Sequence, residues 1–379
     1  MPETSSIPWD LGVYDSHCHP TDTMSQISAV SSMKARTLTI MSTRRSDQHL
    51  VASVARSHPK TKIIPSFGHH PWFSHLIYDD DDDTYADNAE LKQKHYSAVL
   101  VPPPDDKFIS QLPAPTPLST ILQEMHDHLE EFPYALVGEI GLDRGFRLPF
   151  PDTNEEGQGR RLSPHRVSID HQKHIFTAQL RLAGSLNRAV SVHGVQCHGI
   201  LFETFRDLWR GHELPRERRK DQKRRRRRRG GEHEYLPDLC DSDSDQDPPE
   251  KKQMPFPPRI CLHSFSAPTE TLKQYLSPPS PTTLCPSQLF FSFSTTINAR
   301  PEKGHLGRIG DTIVAIPDEC VLVESDLHTA GEEADQALGE ALLFISNVKG
   351  WEMEKGVKQL GENWRRFIFG DEAGEEVEG

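Results

Sequence analysis

A chain of 379 residues suffices for one large domain or two ordinary ones. Hydrophobic residues make up 35% and prolines number 30, so the composition implies a packed core interrupted by solvated segments. The net charge of −13 excludes general electrostatic attraction to nucleic acid and leaves that role to local patches.

The six cysteines, Cys18, Cys197, Cys240, Cys261, Cys285 and Cys320, are scattered without a C-x-x-C pair and read as reduced thiols. The first ten residues lack a basic start and an apolar signal core, and no apolar stretch nears the ~18 residues that span a bilayer. A protein of the cytoplasm or nucleus, with no membrane contact, is the expectation.

In chain order, eight β-branched or aromatic runs stand out: LGVYDSHCH, TLTIMST, KIIPSFGHH, YALVGEIG, RAVSVHG, RICLHSFS, LFFSFST and CVLVESDLH. Helical spacing follows most of them, at Ser46 to His58, Ile121 to Glu131, Asp170 to Asn187, Ile200 to Arg210 and Thr269 to Leu276. Residues 298 to 316 hold a short helical candidate, and Ala334 to Phe369 reads as one or two closing helices. Alternating strands and helices predict an α/β fold with a buried parallel sheet, and eight repeats predict a (β/α)8 TIM barrel in a single domain.

Three segments break this rhythm and are expected to loop out. Residues 77 to 118 carry the aspartate run Asp79 to Asp83 and a proline-rich second half. Residues 211 to 258 join the basic run Lys223 to Arg229 to the acidic DSDSDQD, a composition expected to stay disordered. Residues 277 to 287 form a shorter Ser/Pro loop. The basic run is readable as a nuclear import signal, a nucleic-acid contact or a solvated stretch.

The chemistry-bearing residues fall at strand ends. His17 and His19 alternate with Cys18, so both imidazoles project to one side. Glu139 lies in GEIGLD at the end of the fourth strand, His193 in SVHG at the fifth, His263 in CLHSFS at the sixth and Asp326 in VESD at the eighth. Barrels build active sites at the C-terminal ends of their strands, and buried charges there require a partner or a metal. Any one of these is more simply a hydrogen-bonded strand-end residue; six at corresponding ends point to a metal centre. Glu324 reads as either a hydrogen-bond partner of a ligand or a structural carboxylate, and His70 and Asp143 as orienting or lining residues. Cys18 and Cys261 alternate to the opposite face and read as core.

DSHCH, GHHP, GEIGLD, the strand-end His193, HSFSA and ESD, in this order, resemble the TatD family of metal-dependent deoxyribonucleases, a branch of the amidohydrolase barrels. The resemblance spans nearly the whole chain outside the three insertions. It is greatest to a fungal branch with long insertions, some of whose members are described as interacting with a cell-cycle ubiquitin-ligase subunit. It implies that His17, His19 and Asp326 hold one divalent metal ion, that His193 and His263 hold a second, and that Glu139 bridges them. Glu139 and Asp326 would be the catalytic pair, with Asp326 taking the proton of the attacking water. Imidazoles suit Zn or Mn, and the carboxylates admit Mg.

Departures from the family pattern lie around these ligands. Val195 stands where an arginine is usual, Ala267 replaces a glycine, Leu327 and His328 replace Ser-Pro, and Trp72 stands where a histidine is frequent. Three functions follow from this reading: hydrolysis of a phosphodiester such as DNA, an amidohydrolase-type reaction on a small C–N or C–O substrate, or a scaffold whose insertions bind a protein partner.

Overall fold

Every one of the eight runs forms a strand in the computed structural model, which describes residues 7–80, 87–150, 161–215, 253–277, 283–298 and 306–371. They are β1 (Tyr14–Cys18), β2 (Thr37–Met41), β3 (Ile63–Ser66), β4 (Val137–Asp143), β5 (Val190–Val195), β6 (Arg259–Leu262), β7 (Gln288–Phe293) and β8 (Val321–Val323). The basic run Lys223 to Arg229, the acidic DSDSDQD and Cys240 lie outside the described residues, as do residues 278–282 of the Ser/Pro loop.

The strands pair in parallel in two sheets, β1-β2-β3 and β8-β7-β6-β5-β4. No single ladder joins all eight, but hydrogen bonds cross both gaps. Between β3 and β4, Leu136 N donates to Pro65 O at 3.1 Å and Phe67 N to Leu136 O at 3.0 Å, and Glu139 N reaches Ser42 O past the end of β2 at 2.9 Å. Between β8 and β1, Asp326 N donates to His17 O at 3.0 Å and His19 N to Leu327 O at 2.8 Å. The residues of β1, β2, β3 and β4 are all buried, polar ones such as Asp15, Ser16, His17, Thr39 and Glu139 included, so both faces of these strands are covered.

Among the described residues the α-helices longer than one turn are α1 (Arg45–Arg56), α2 (Asn88–Val99), α3 (Asp106–Gln111), α4 (Leu118–Glu131), α5 (Ile169–Ser185), α6 (His198–Trp209), α7 (Thr269–Leu276), α8 (Leu306–Ala315), α9 (Glu332–Lys349) and α10 (Met353–Phe369). Helix α1 starts where Asp47 accepts hydrogen bonds from Thr43 and Arg44, and it buries Val51, Ala52, Val54 and Ala55. Helix α9 ends at Gly350, whose φ of 66° is the left-handed conformation that favours glycine. Helix α10 then turns Trp364 and Phe367 into a cluster with Tyr14, Leu136, Ala189, Cys261, Phe290 and Leu322, the residues at or near the starts of the strands. Trp364 stacks on Tyr14 at 4.4 Å and donates to Thr39 Oγ1 at 3.1 Å. The C-terminal helix thus seals one end and leaves the opposite strand ends for chemistry. Cys18 and Cys261 are buried, as the alternation predicts. Among the described residues no helix is long and apolar enough to cross a membrane.

The segment 77–118 corrects the expectation of a solvated loop. Helices α2 and α3 lie within it, and Tyr96, Val99, Leu100, Phe108, Ile109 and Leu112 pack into a cluster of their own with Leu148 and Val167. Asp87 and Asp105 cap the two helices, and Asp80 accepts from Ser119 N at 3.0 Å at the start of α4. Acidic composition therefore marks helix starts here as well as solvated chain. The short strand Leu100–Val101 pairs antiparallel with Arg166–Val167 and ties the unit to the chain leading into α5.

Candidate metal centre

Two glycines of the GEIGLD stretch decide where Glu139 stands. Gly141 has φ +151°, and a Cβ there would fall 2.1 Å from His193 O on the paired strand. A Cβ on Gly138 would fall 2.9 Å from Ser66 Oγ. Only glycine lets β4 lie this close to both neighbours. On the other side of the centre, buried Asp15 accepts from His17 N at 3.1 Å, Ser325 N at 3.0 Å and Ser325 Oγ at 2.5 Å. It fixes the H-x-H strand end against the chain that carries Asp326. Asp326 and Ser264 take φ values of +52° and +42°, a region non-glycine residues rarely adopt, so their placement is enforced by what surrounds them.

All six sequence-predicted residues converge, and the two oxygens of Glu139 divide them. Glu139 Oε2 lies 3.3 Å from His19 Nε2 and 3.6 Å from His17 Nε2. Asp326 Oδ1 lies 3.8 Å from His19 Nε2 and 3.9 Å from His17 Nε2, and those two nitrogens are themselves 3.1 Å apart. Glu139 Oε1 faces the other way, 2.7 Å from His263 Nε2 and 3.0 Å from His193 Nδ1, with those nitrogens 3.4 Å apart. Both faces are largely closed to water, since the Glu139 side chain is 5% exposed and those of His193 and Asp326 12% each.

This donor set fits divalent ions. Ligand atoms about 2.0–2.1 Å from a tetrahedral ion stand about 3.3 Å from one another, close to the spacings within each group. His17 Nδ1 lies 2.8 Å from Ser191 Oγ, which leaves Nε2 free to present its lone pair to the centre. His263 Nδ1 and Glu324 Oε2 are buried without a hydrogen-bond partner, further polar atoms beside the same space.

Electrostatics follow from burial and from the carboxylates. Burial and the charge of His263 hold His17 down to about 3. Burial also opposes protonation of His19, yet Glu139, Asp326 and Asp22 outweigh it and raise that imidazole to about 9. Glu139 itself is buried but sits well below the usual carboxylate range because His70, His263, His17 and His19 surround it. Burial resists ionisation of Asp326 as well, and His263, His17 and His19 reverse it.

Residues given lesser parts by the sequence sit at the centre too. His70 Nε2 lies 3.2 Å from Glu139 Oε1, within the His193 group. Its position in GHHP, directly after β3, was the available signal. Asp143 accepts from Trp72 Nε1 at 2.6 Å and faces His193 Nε2 at 3.2 Å. Glu324 accepts from Ser264 N at 2.8 Å and Ser264 Oγ at 2.6 Å, and the same hydroxyl lies 3.1 Å from Asp326 Oδ2. Ser264 was not singled out, because a serine beside a strand-end histidine has no distinguishing pattern. At the altered positions, His328 stacks on His19 at 5.0 Å and pairs with Asp22 at 2.6 Å, and Val195 O accepts from Arg144 N at 3.1 Å. Helix α5 braces this rim: Gln172 accepts from Asp143 N and Gln179 from His69 N, each at 2.8 Å.

A family model described as TatD related DNase matches residues 14–369. The chain is similar to the Cut9-interacting protein scn1 of Schizosaccharomyces pombe, 36% identical over 359 residues that cover 94% of this chain and 98% of that protein. It is also similar to an uncharacterized deoxyribonuclease of Saccharomyces cerevisiae, 28% identical over 373 residues, covering 93% and 98% of the two chains. A hydrolase TatD family protein from Entamoeba histolytica shares the fold, with a TM-score of 0.54 over 95% of this chain and 98% of that one at 11% identity.

Proposed function

The chain belongs to the TatD related DNase family, and from that premise we propose that it is a metal-dependent hydrolase of phosphodiester bonds, with DNA as the substrate class. The observation that carries this reading is the division of labour at Glu139, whose two oxygens each face a separate set of imidazoles. We assign His17, His19 and Asp326 to one cation, His193 and His263 to the other, and Glu139 to both. When bound, two divalent ions would supply the positive charge that makes water a nucleophile near neutral pH and clamps a phosphoryl oxygen. In this reading the two parallel sheets act as one (β/α)8 wall, with the centre at its C-terminal rim.

The protein's own groups do the rest. Asp326 is ionised, and we assign it as acceptor of the water's proton, with Ser264 holding its Oδ2. Glu139, Asp326 and the imidazoles exclude most bulk water, which strengthens every charge interaction inside. Protein reconstituted with Mn, Mg or Zn, offered single-stranded DNA, duplex DNA and small esters, should cleave DNA. Cleavage of the esters alone would move the assignment to a small-molecule substrate.

A second reading is a protein-binding role, favoured by the similarity to the Cut9-interacting protein of S. pombe. Both activities can coexist, because the metal centre lies at the strand ends and leaves the outer helices free for a partner.

A further inference from the structure

We propose that Trp72, braced by Phe146, is a stacking platform for an unpaired nucleobase next to a phosphodiester held at the cation centre around Glu139. This deepens the phosphodiesterase reading and rests on it. Trp72 lies in the turn Pro71–Leu76 directly after β3. Its neighbours at the centre are closed off, with the side chains of His70 at 3%, Asp143 at 5% and His193 at 12% exposure, while Trp72 keeps 39%. A large aromatic side chain therefore opens to solvent at the wall of a buried polar site.

Isolated exposed aromatics are ordinary on protein surfaces, but this one is held rigid from three sides. Its Nε1 donates to Asp143 Oδ2 at 2.6 Å. Phe146 stacks on it at 4.9 Å with the rings 15° apart, and His70 meets it edge-on at 4.6 Å. The oxygen that holds the indole also faces His193 Nε2, so one carboxylate sets the platform and an assigned ligand in register. The Trp72 and His193 ring centroids are 6.1 Å apart. A pre-oriented ring loses little freedom when a planar partner settles on it. Every base has a π-face, so such a platform tolerates any sequence, whereas a base inside a duplex is already stacked and unavailable. The chemistry singles out single strands and frayed ends.

The test is binding, read by fluorescence anisotropy of a labelled oligothymidylate and of an abasic deoxyribose-phosphate oligomer of equal length. Stacking of one base on an aromatic ring corresponds to about five- to hundredfold in affinity. The wild-type protein should prefer the oligothymidylate by about tenfold or more. Trp72→Ala should lose that preference, and Trp72→Phe, which keeps the ring without the donor, should retain it. Should the alanine variant fail to fold, Trp72→Leu keeps the bulk without a π-face and must lose the preference as well. A preference that survives in Trp72→Ala or Trp72→Leu, or a wild type that binds both oligomers alike, overturns the proposal. The phosphodiester reading fails separately, when metal-loaded wild type cleaves neither oligomer.

Discussion

Asp143 Oδ2 lies 3.2 Å from His193 Nε2, on the opposite side of the ring from the Nδ1 that faces Glu139 at 3.0 Å. A carboxylate behind a ligating imidazole fixes its tautomer and raises its basicity. Burial resists ionisation of Asp143, but His193, Trp72 and the Phe146 amide hold it at about 2, so it carries full charge at neutral pH. Asp143→Asn should fold normally and lose about 10- to 100-fold in metal affinity, measured by competition with a chromophoric chelator. Unchanged affinity would show that Asp143 serves only the surrounding loop.

Gly141 sets a second expectation, because its φ of +151° and the 2.1 Å approach of His193 O both exclude a side chain. Gly141→Ala should cost more than about 4 kcal/mol in urea unfolding, in the range reserved for strained or overpacked sites, and should abolish hydrolysis by displacing His193. A stability within about 1 kcal/mol of wild type would mean that β4 and β5 can separate at little cost.

Acid stability should report buried histidines other than the assigned ligands. Burial, joined by the charge of Arg45, holds His69 down to about 3, and burial holds His75 to about 3 and His171 to about 4, against an ordinary value of 6.5. Their folded values lie below the unfolded one. Their contribution is therefore complete above about pH 6.5 and is lost as pH falls toward 4, at about 1.4 kcal/mol per pH unit for each group. His171→Gln, which can still donate to Ser74 O, should flatten the acid limb by about that amount. Unfolding free energies measured at pH 6.5 and 4.5 decide it, and an unaltered slope in the variant would contradict the assignment.

The fold and the centre were legible in the sequence to different depths. Strands were readable because runs such as TLTIM are buried along their whole length, and His17, His263 and Asp326 could be placed because each stands near or just past the end of a strand, whereas β4 continues four residues beyond Glu139 and β5 two beyond His193. The 77–118 segment was not readable, because Tyr96, Phe108 and Ile109 are few among acidic and proline-rich residues and become a core only when Leu148 and Val167 meet them. Asp143 lies four residues after Glu139 on the same side of β4, but its partner Trp72 is 71 residues away in sequence, and no local pattern joins them. Ser264 gains its position between Glu324 and Asp326 from a left-handed backbone that its sequence does not announce.

The central claim is that Glu139 joins two cation sites into one hydrolytic centre. Elemental analysis of reconstituted wild-type, Glu139→Gln and Asp326→Asn proteins, run beside a DNA-cleavage assay, tests it most directly. The account predicts two ions per wild-type chain, loss of both metal and hydrolysis in folded Glu139→Gln, and a greater loss of hydrolysis than of metal in Asp326→Asn. A wild-type chain that binds no metal, or a Glu139→Gln variant as active as wild type, would contradict it.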